Sequence, residues 1–511
     1  MLVSKLKFIA FGSVAMLAAG LAPGPQAFAG KGDDTLTYAV QLELESLDAY
    51  FNTSRPGLIL SRSIWDQLLY RDPKTGAYLP ALAESFTWVD AVTIDMTLRR
   101  GIAFHNGEAF DADDVVYTLN WVSDPANKVK NQRNVNWIKN VEKTGDFSVR
   151  IHLKDPFPAA LEFLAGPLPI YPNEYYAKVG PDGMSRMPIG TGPYKVEKAD
   201  PTTGTVVMVR NENYFPASPR GKPKIGRLVH KTITDKDTIV AELISGGIDW
   251  AWKISPDQVA NIGALPHLSV IGGETMRIAY LGMDAAGRSG DGPLKDARVR
   301  QAIAHAINRQ SIVDNLMSEG SRVVHAVCFP SQFGCTDDVT KYGYDPAKAR
   351  ALLAEAGYPK GISLTLDAYR NRDLAEAMLA DLAAVGIKTS LNYTKYAATR
   401  DKVRAGKSQM YFMTWGSYSV HDVSAITSHF FKLSDDDTAK DTQVSAWLEE
   451  GDTSPTPSVR LSAYAKALKR IAEQAYWLPL WSYSYFYAFS KDLDFVPSAD
   501  EIPRFYSSRW K

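Results

Sequence analysis

The stretch Tyr78–Val122, YLPALAESFTWVDAVTIDMTLRRGIAFHNGEAFDADDVVYTLNWV, decides the fold of this chain. Apolar side chains alternate with polar ones over residues 92–98, which is the pattern of a half-buried strand. Asn106 and Gly107 then supply turn chemistry, because both tolerate positive φ. Asp111 has the position of a helix N-cap, and two further aspartates follow in the first turn, where the helix dipole favours anions. The stretch therefore predicts a strand, a tight turn and a capped helix.

Four elements of this stretch resemble the signature of the bacterial extracellular solute-binding proteins of family 5, which serve peptide, nickel and opine ABC transporters. They are Leu82-Ala83-Glu84-Ser85, Leu98-Arg99-Arg100, Phe104-His105-Asn106-Gly107 and Ala112-Asp113-Asp114-Val115. Further elements follow in the family's order, at 190–194, 210–214, 238–249 and from Asp296 onward. The resemblance covers about residues 35–495 and implies a protein that binds and delivers a solute.

The resemblance implies an α/β fold with two lobes joined by two crossover segments, the type II periplasmic binding protein architecture, and an extra domain inserted in the first lobe. The expected ranges are 30–55 with 190–285 and 478–511 for lobe I, 56–189 for the insertion, 286–477 for lobe II, and 283–295 and 475–482 for the hinge. Solute that contacts both lobes would stabilise the closed form.

Two shorter segments also predict local structure. Asp345 followed by Pro346 has the pattern of an N-cap with proline at the first helical position, which predicts the start of a helix. The segment Trp65–Leu69 is expected to lie on a helix.

The first residues have the pattern of an export signal. Basic Lys5 and Lys7 precede the apolar run 8–22, and Ala27-Phe28-Ala29 fits a cleavage site with small residues. The apolar run is shorter than the roughly 20 residues that span a bilayer. We therefore expect a soluble periplasmic protein that is cleaved near Ala29.

Composition and motifs exclude several function classes. The chain has 57 basic and 57 acidic residues, so it offers no electrostatic attraction for nucleic acid. The HExxH, GxSxG and GxGxxG motifs are absent, and the eight histidines lack the spacing of metal ligands. We therefore expect no enzyme, no cofactor and no metal. The resemblance implies a monomeric receptor whose partner is an inner-membrane ABC permease with separate ATPase subunits.

The two cysteines lie close together, at Cys328 and Cys335. Export to an oxidising compartment favours a local disulfide between them. The alternative is a metal pair, which would lack companion ligands apart from the nearby His325.

The family brings four segments to its ligand cleft. The residues expected there are Glu43, Glu45, Asn134, Trp137, Arg277, Trp415, Tyr418 and Asp422. Trp137 resembles an aromatic residue that packs on ligand, although most aromatic residues of a chain this size belong to the core. The planar fork of Arg277 suits a ligand carboxylate, which it can bind through two hydrogen bonds.

The sequence departs from the peptide-binding pattern at one position. Peptide-binding members often place an aspartate three residues after the tryptophan, where it pairs with the peptide's amine, but this chain has Tyr418 there. A buried ammonium needs a partner, so Asp422, Glu43 or Glu45 would have to substitute. Nickel-chelate members use an arginine in a segment that corresponds to 166–170, which has none. Peptide-like cargo is favoured, with an opine, an oligosaccharide, a metal chelate, or a hydrolase on the same fold as alternatives.

Overall fold

The computed structural model describes residues 30–511, except for the side chain of Tyr418. The predicted export signal lies outside the described residues. The strands of the described part are Thr35–Val40 (β1), Leu69–Arg71 (β2), Tyr78–Pro80 (β3), Ala83–Asp90 (β4), Thr93–Leu98 (β5), Ile138–Gly145 (β6), Ser148–Leu153 (β7), Tyr194–Asp200 (β8), Thr205–Arg210 (β9), Arg227–Thr232 (β10), Trp250–Ile254 (β11), Leu268–Met283 (β12), Arg322–Val323 (β13), Ile362–Ala368 (β14), Ile387–Tyr393 (β15), Met410–Trp415 (β16), Trp477–Ser490 (β17), Leu493–Asp494 (β18) and Arg509–Trp510 (β19).

The helices are distributed along the whole described part of the chain. They are Arg55–Ile64 (α1), Ala112–Ser123 (α2), Ala160–Ala165 (α3), Asn173–Arg186 (α4), Lys236–Ser245 (α5), Pro256–Gly263 (α6), Ala297–Ala306 (α7), Arg309–Leu316 (α8), Pro346–Glu355 (α9), Arg372–Ala384 (α10), Tyr396–Arg404 (α11), Ser424–Phe430 (α12), Thr442–Thr453 (α13) and Pro457–Glu473 (α14). Within residues 30–511, none of them combines the length and the apolar character that a membrane span requires.

One mixed sheet connects the two lobes. Its strand order is β15-β14-β16-β12-β17-β11-β1-β10-β9-β8, and β13 pairs with β17. Strands β12 and β17 are antiparallel and long, with 16 and 14 residues, so each of them takes part in both lobes. Parallel pairs flank them on either side, β1 with β10 in one lobe and β14 with β15 in the other. The predicted α/β, two-lobed fold is confirmed.

The pairing of β12 with β17 is irregular in the middle. Glu274 pairs with Ser484, and the next paired residue of β12 is Ile278, which lies opposite Ser482. Such irregularities bend a strand and redirect its side chains. Arg277 lies within this interruption, next to the point where the chain passes from one lobe to the other.

The predicted insertion covers a separate antiparallel sheet, in the order β4-β5-β7-β6. The predicted strand and capped helix are both present, as β5 and α2. Asp111 accepts a hydrogen bond from the backbone N–H of Asp113 at 2.8 Å, and Asp114 accepts one from the backbone N–H of Asp111 at 2.9 Å. These contacts form a capping box, which fixes where α2 begins. Helix α9 likewise begins at Pro346 behind its N-cap Asp345.

The prediction of a helix over Trp65–Leu69 is wrong, because α1 ends at Ile64. A glycine-containing turn packs against this helix end: the Gly192 N–H donates to the Ile64 carbonyl at 2.9 Å, and the Trp65 indole donates to the Ile189 carbonyl at 2.8 Å. A Cβ on Gly192 would lie 2.4 Å from the Ile64 carbonyl carbon, so only glycine fits there. The turn therefore ends the helix earlier than local sequence suggests.

The predicted disulfide is confirmed. Cys328 and Cys335 are bonded with an S–S distance of 2.05 Å. The loop that they close carries Phe333, which forms a β-bridge to Asp422. The disulfide thus braces the segment that follows Trp415 in lobe II.

Candidate functional site

Four cations from distant parts of the chain meet where β12 and β17 cross between the lobes. We call Arg55, Lys253, Arg277 and Arg370 the cationic cluster. Arg277 and Arg370 both donate from Nη1 to the Thr414 hydroxyl at 3.3 Å. Arg55, Arg277 and Arg370 each lie near enough to Lys253 to lower the pKa of its ammonium. The cluster therefore combines one residue each from α1, β11 and β12 with one that follows β14.

Glu501 is the carboxylate at the centre of this cluster. Its oxygens lie 3.0 Å from Arg55 Nη2, and 2.8 Å and 3.1 Å from Arg277 Nε and Nη2. Its side chain is only 2% exposed. Burial opposes its ionisation, but the charges of Arg277 and Arg55 outweigh burial and lower the pKa of Glu501 to about 2. Glu501 is therefore an anion at physiological pH and forms ion pairs with two of the four cations, Arg55 and Arg277.

Lys253 forms no ion pair in the described part of the chain, although the charge of Glu501 acts on its ammonium. It sits at an irregularity of β11 between Trp252 and Ile254, with a left-handed φ of 59°. Its ammonium lies 4.6 Å from the centre of the Trp252 ring and 5.0 Å from that of Tyr485. Burial lowers the pKa of Lys253 to about 7. A strained backbone that holds an unpaired cation is typical of a site prepared for a ligand.

Arg370 approaches the same tyrosines from the segment that follows β14. Its guanidinium lies 5.4 Å from the centre of the Tyr483 ring, and Tyr483 packs on Tyr485 with their ring centres 6.1 Å apart. It donates hydrogen bonds to the side chains of Asn371 and Thr414, and it also bonds to the tyrosines Tyr369 and Tyr485. Within the described residues it forms no ion pair. Tyr483 and Tyr485 thus lie between Lys253 and Arg370, two cations that form no ion pair within the described residues.

The lobes touch each other on either side of the cluster. Arg55 Nη1 donates to Ser419 Oγ at 2.8 Å. The His421 N–H donates to Glu162 at 3.2 Å, and Glu162 also pairs with Arg71 at 2.7 Å. A cavity of about 40 Å³ next to these contacts has room for a water molecule or two. Residues 55, 71 and 162 therefore contact the segment 419–421 directly or through one another.

Comparison with known proteins places the chain in a family. The family model described as "Bacterial extracellular solute-binding proteins, family 5 Middle" matches residues 77–437. The chain belongs to this family. The predicted resemblance is confirmed, and so is the prediction of a substrate-binding receptor of the ABC-transporter type.

Full-length relatives of this family 5 protein agree with the match. The chain is 29% identical over 486 residues to the glutathione-binding protein GsiB of Salmonella paratyphi A. The alignment covers 91% of this chain and 92% of GsiB. The ABC transporter substrate-binding protein CtaP of Listeria monocytogenes matches with a TM-score of 0.83 at 21% identity, over 93% of this chain and 99% of CtaP. A dipeptide-binding protein from Pseudoalteromonas, solved with a Met-Leu peptide, matches with a TM-score of 0.80 at 20% identity. The match covers 93% of this chain and 100% of that protein. The solved structures confirm the fold.

Two of the residues predicted for the ligand cleft of this family 5 protein lie at or beside the cationic cluster. Arg277 belongs to it, and Trp415 ends the neighbouring strand β16. The Trp415 ring stacks on His429 at 4.7 Å and its indole donates to the Ala425 carbonyl at 3.0 Å. A Cβ on Gly416 would lie 2.9 Å from Arg277 Nη2, so the backbone after Trp415 touches the cluster. Tyr418 follows in a short 3-10 helix, and its side chain lies outside the described residues.

Asp422 forms a buried ion pair within the protein. Its buried carboxylate lies 2.7 Å from Arg460 Nη2 and accepts hydrogen bonds from the Ser424 backbone and hydroxyl. A ligand ammonium could bind Asp422 only if this buried ion pair broke, which would leave Arg460 without a partner. The structure therefore gives no support for Asp422 as a substitute for the missing aspartate.

The structure does not bring the remaining predicted residues to the cationic cluster. Trp137 is buried, and its indole donates to the Asn134 carbonyl at 2.8 Å. The side-chain oxygen of Asn134 is buried without a partner and borders a cavity of about 30 Å³. Glu45 pairs with Lys130 at 3.0 Å, and Glu43 is exposed. Their contact with ligand stays a prediction.

Sequence reasoning missed Arg55, Lys253, Arg370 and Glu501. One signal was present for Lys253, because a lysine inside the otherwise apolar strand Trp250–Ile254 is costly to bury without a function. The contact between Arg55 and Glu501 joins opposite ends of the chain, and no local pattern predicts it.

Proposed function

We propose that this protein is the periplasmic receptor of an ABC importer and that its cargo is a small peptide-like solute with more carboxylates than ammonium groups. The receptor captures this solute between its lobes as a monomer. It then delivers the solute to an inner-membrane permease whose ATPase subunits are separate chains.

The excess of positive charge in the cationic cluster carries this proposal. Four cations surround the carboxylate of Glu501, which forms ion pairs with Arg55 and Arg277, so Lys253 and Arg370 are without an ion pair among the described residues. A buried or half-buried cation is stabilised when a carboxylate pairs with it, and a guanidinium can hold a carboxylate by two hydrogen bonds. A ligand carboxylate between Lys253 and Arg370 would supply the missing charge, with Tyr483 and Tyr485 as its apolar wall.

The carboxylates around the cleft are unsuited to a ligand ammonium. Asp422 is paired with Arg460, and Glu501 is paired with Arg55 and Arg277. An ordinary dipeptide carries one ammonium for its one terminal carboxylate, so it would bring a positive charge to a cleft that already has too many. A solute with a second carboxylate avoids this cost.

The curated relatives agree with an anionic peptide-like cargo. They are named glutathione-binding proteins, and glutathione carries two carboxylates and one ammonium group at neutral pH. Opines and carboxylate-bearing metal chelates remain alternatives because they also carry carboxylates, whereas neutral oligosaccharides do not use the charge of the cluster. A hydrolase is not supported, since the family and the relatives are binding proteins.

The lobes would close around the cargo as rigid bodies. We assign residues 30–55, 190–285 and 478–511 to lobe I, 56–189 to the insertion and 286–477 to lobe II. The irregular pairing of Glu274–Tyr280 with β17 provides the flexible crossing, beside the expected hinge segments. A solute that contacts Lys253 in lobe I and Arg370 in lobe II binds the closed form more tightly than the open form, which is the condition for ligand-driven closure.

Identification of bound cargo tests the proposal. Protein purified without added ligand is denatured gently, and the released small molecules are identified by mass spectrometry. Glutathione or a short acidic peptide is the expected result. An opine would keep the anion site but change the class of cargo, whereas a neutral sugar or an apolar neutral peptide would contradict the proposal.

A further inference from the structure

The segment Ser498–Arg504, which we call the C-terminal turn, reaches the ligand site from the far end of the chain. The Ala499 carbonyl accepts a hydrogen bond from the Met276 N–H at 2.7 Å. The Asp500 carbonyl accepts hydrogen bonds from Arg55 Nη1 at 3.0 Å and from Ser419 Oγ at 2.7 Å. The turn thus contacts α1, the crossover strand β12 and the loop after β16 at once.

The geometry of the turn fixes the direction of Glu501. The Asp500 side chain pairs with Arg504 at 2.6 Å and accepts a hydrogen bond from the Ile502 N–H at 3.1 Å, which braces the turn internally. Glu501 has a left-handed φ of 59°, a conformation that is costly for a residue with a side chain and persists only where the surroundings enforce it. The braced turn and the ion pairs with Arg55 and Arg277 hold the Glu501 carboxylate in this conformation.

Glu501 makes the contacts that a ligand carboxylate would otherwise make. It binds Arg277 through two hydrogen bonds and Arg55 through an ion pair, and its side chain is almost fully buried. With this carboxylate in place, the two arginines need no further anion. Lys253, on which Glu501 acts only through its charge, and Arg370 form no ion pair within the described residues and are left to attract the charges of a ligand.

We propose that Glu501 is a specificity-determining residue. Its carboxylate makes the receptor prefer cargo with fewer negative charges. The inference rests on the proposed function in one respect, that the cargo binds as an anion. Without Glu501, Arg55 and Arg277 would also need a counter-ion, and the receptor would favour solutes with one additional carboxylate.

The test compares wild-type protein with Glu501→Gln by isothermal titration with two dipeptides, Ala-Glu and Glu-Glu, which differ by one carboxylate. The substitution removes one negative charge a few ångströms from the ligand. The affinity for Glu-Glu relative to Ala-Glu should therefore rise by about tenfold. An unchanged ratio of the two affinities would overturn the proposal. Asp494→Asn is the matched control, because Asp494 pairs with Arg509 in the separate strand pair β18–β19. It should leave the ratio as in wild type.

Citrate, which has no peptide bond, separates this proposal from the proposed function. Citrate should raise the unfolding temperature of Glu501→Gln at a concentration that does not stabilise wild type. An equal response of the two proteins would overturn the role of Glu501, whatever the natural cargo is. If wild type binds neither dipeptide nor glutathione while the variant gains citrate binding, the peptide-like cargo is refuted and the role of Glu501 stands.

A second variant covers the case in which Glu501→Gln folds poorly. Glu501→Ala leaves space beside the two arginines for a carboxylate from solution. Acetate should then raise the unfolding temperature of Glu501→Ala more than that of wild type or Asp494→Ala. No difference between the three proteins would count against a carboxylate site at this position.

Discussion

Lys253 should make ligand binding depend on pH. In the unliganded protein burial lowers the pKa of its ammonium to about 7, so about one tenth of the molecules carry this charge at pH 8. An anionic cargo beside Lys253 favours the charged form and raises the pKa again. Binding at pH 8 should therefore take up close to one proton, and the affinity should fall as the pH rises above 7.

The same group should limit the stability of the unliganded protein. The difference between the ordinary pKa of 10.5 and about 7 corresponds to about 5 kcal/mol, at about 1.4 kcal/mol per pKa unit. Since Lys253 is only half-buried, solvent screening reduces this figure, and we expect about 2–3 kcal/mol. The folded state binds the proton less readily than the unfolded state. The stability cost therefore grows as pH falls from about 10 to 7 and is constant below that.

Two substitutions at Lys253 check both effects. Lys253→Met should raise the free energy of unfolding without ligand by about 2–3 kcal/mol at pH 6 and by much less near pH 10, as measured by urea denaturation. It should also weaken the binding of glutathione. Lys253→Arg keeps the charge at every pH, so the pH dependence assigned to Lys253 should vanish while binding persists.

The proton count comes from titrations at pH 8 in two buffers with different ionisation enthalpies. Because the ligand's own groups titrate equally with both proteins, the difference between wild type and Lys253→Arg isolates the proton of Lys253. We expect a difference of about 0.9 proton. The same count for both proteins would refute the reasoning. So would a Lys253→Met variant whose gain in stability over wild type is no larger at pH 6 than at pH 10.

Three further predictions concern contacts around the cleft. Asp422→Asn should lower the free energy of unfolding by about 3–5 kcal/mol, because it leaves a buried arginine unpaired, and should not change the ligand affinity; lost affinity without lost stability would contradict its structural role. Glu162→Gln weakens a contact of the closed form with His421, so stopped-flow measurements should show ligand release faster by about three- to tenfold, and an unchanged rate would exclude this contact from closure. Replacement of Cys328 and Cys335 by serine should cost about 2 kcal/mol in urea denaturation, since the disulfide closes a short loop; no loss would show that the loop is fixed by packing alone.

Local sequence predicted the features that depend on neighbouring residues. The capping box of α2 needs only residues 111–114, and the disulfide closes a loop within one segment, so both were predictable. The alternation of apolar and polar residues in β5 predicted a strand for the same reason. The helix expected over Trp65–Leu69 failed because a glycine turn more than a hundred residues later packs against the end of α1.

The candidate site was predictable only in part, because long-range pairing decides it. Arg277 was identified from its place in the family pattern, but its partner Glu501 lies in a different part of the chain. Asp422 looked available as a ligand carboxylate because nothing in its own segment shows the buried Arg460 of α14. Which charges are paired inside the protein, and which are left for a ligand, is decided by the fold.

The most direct measurement is isothermal titration of the purified protein with reduced glutathione and with its diester, in which both carboxylates are blocked. If the cluster recognises carboxylates, the acid should bind and the diester should bind about a hundredfold more weakly or not at all, since each lost charged hydrogen-bonding group costs about 1.5–3 kcal/mol. Equal affinity for the acid and the diester would contradict carboxylate recognition by the cationic cluster.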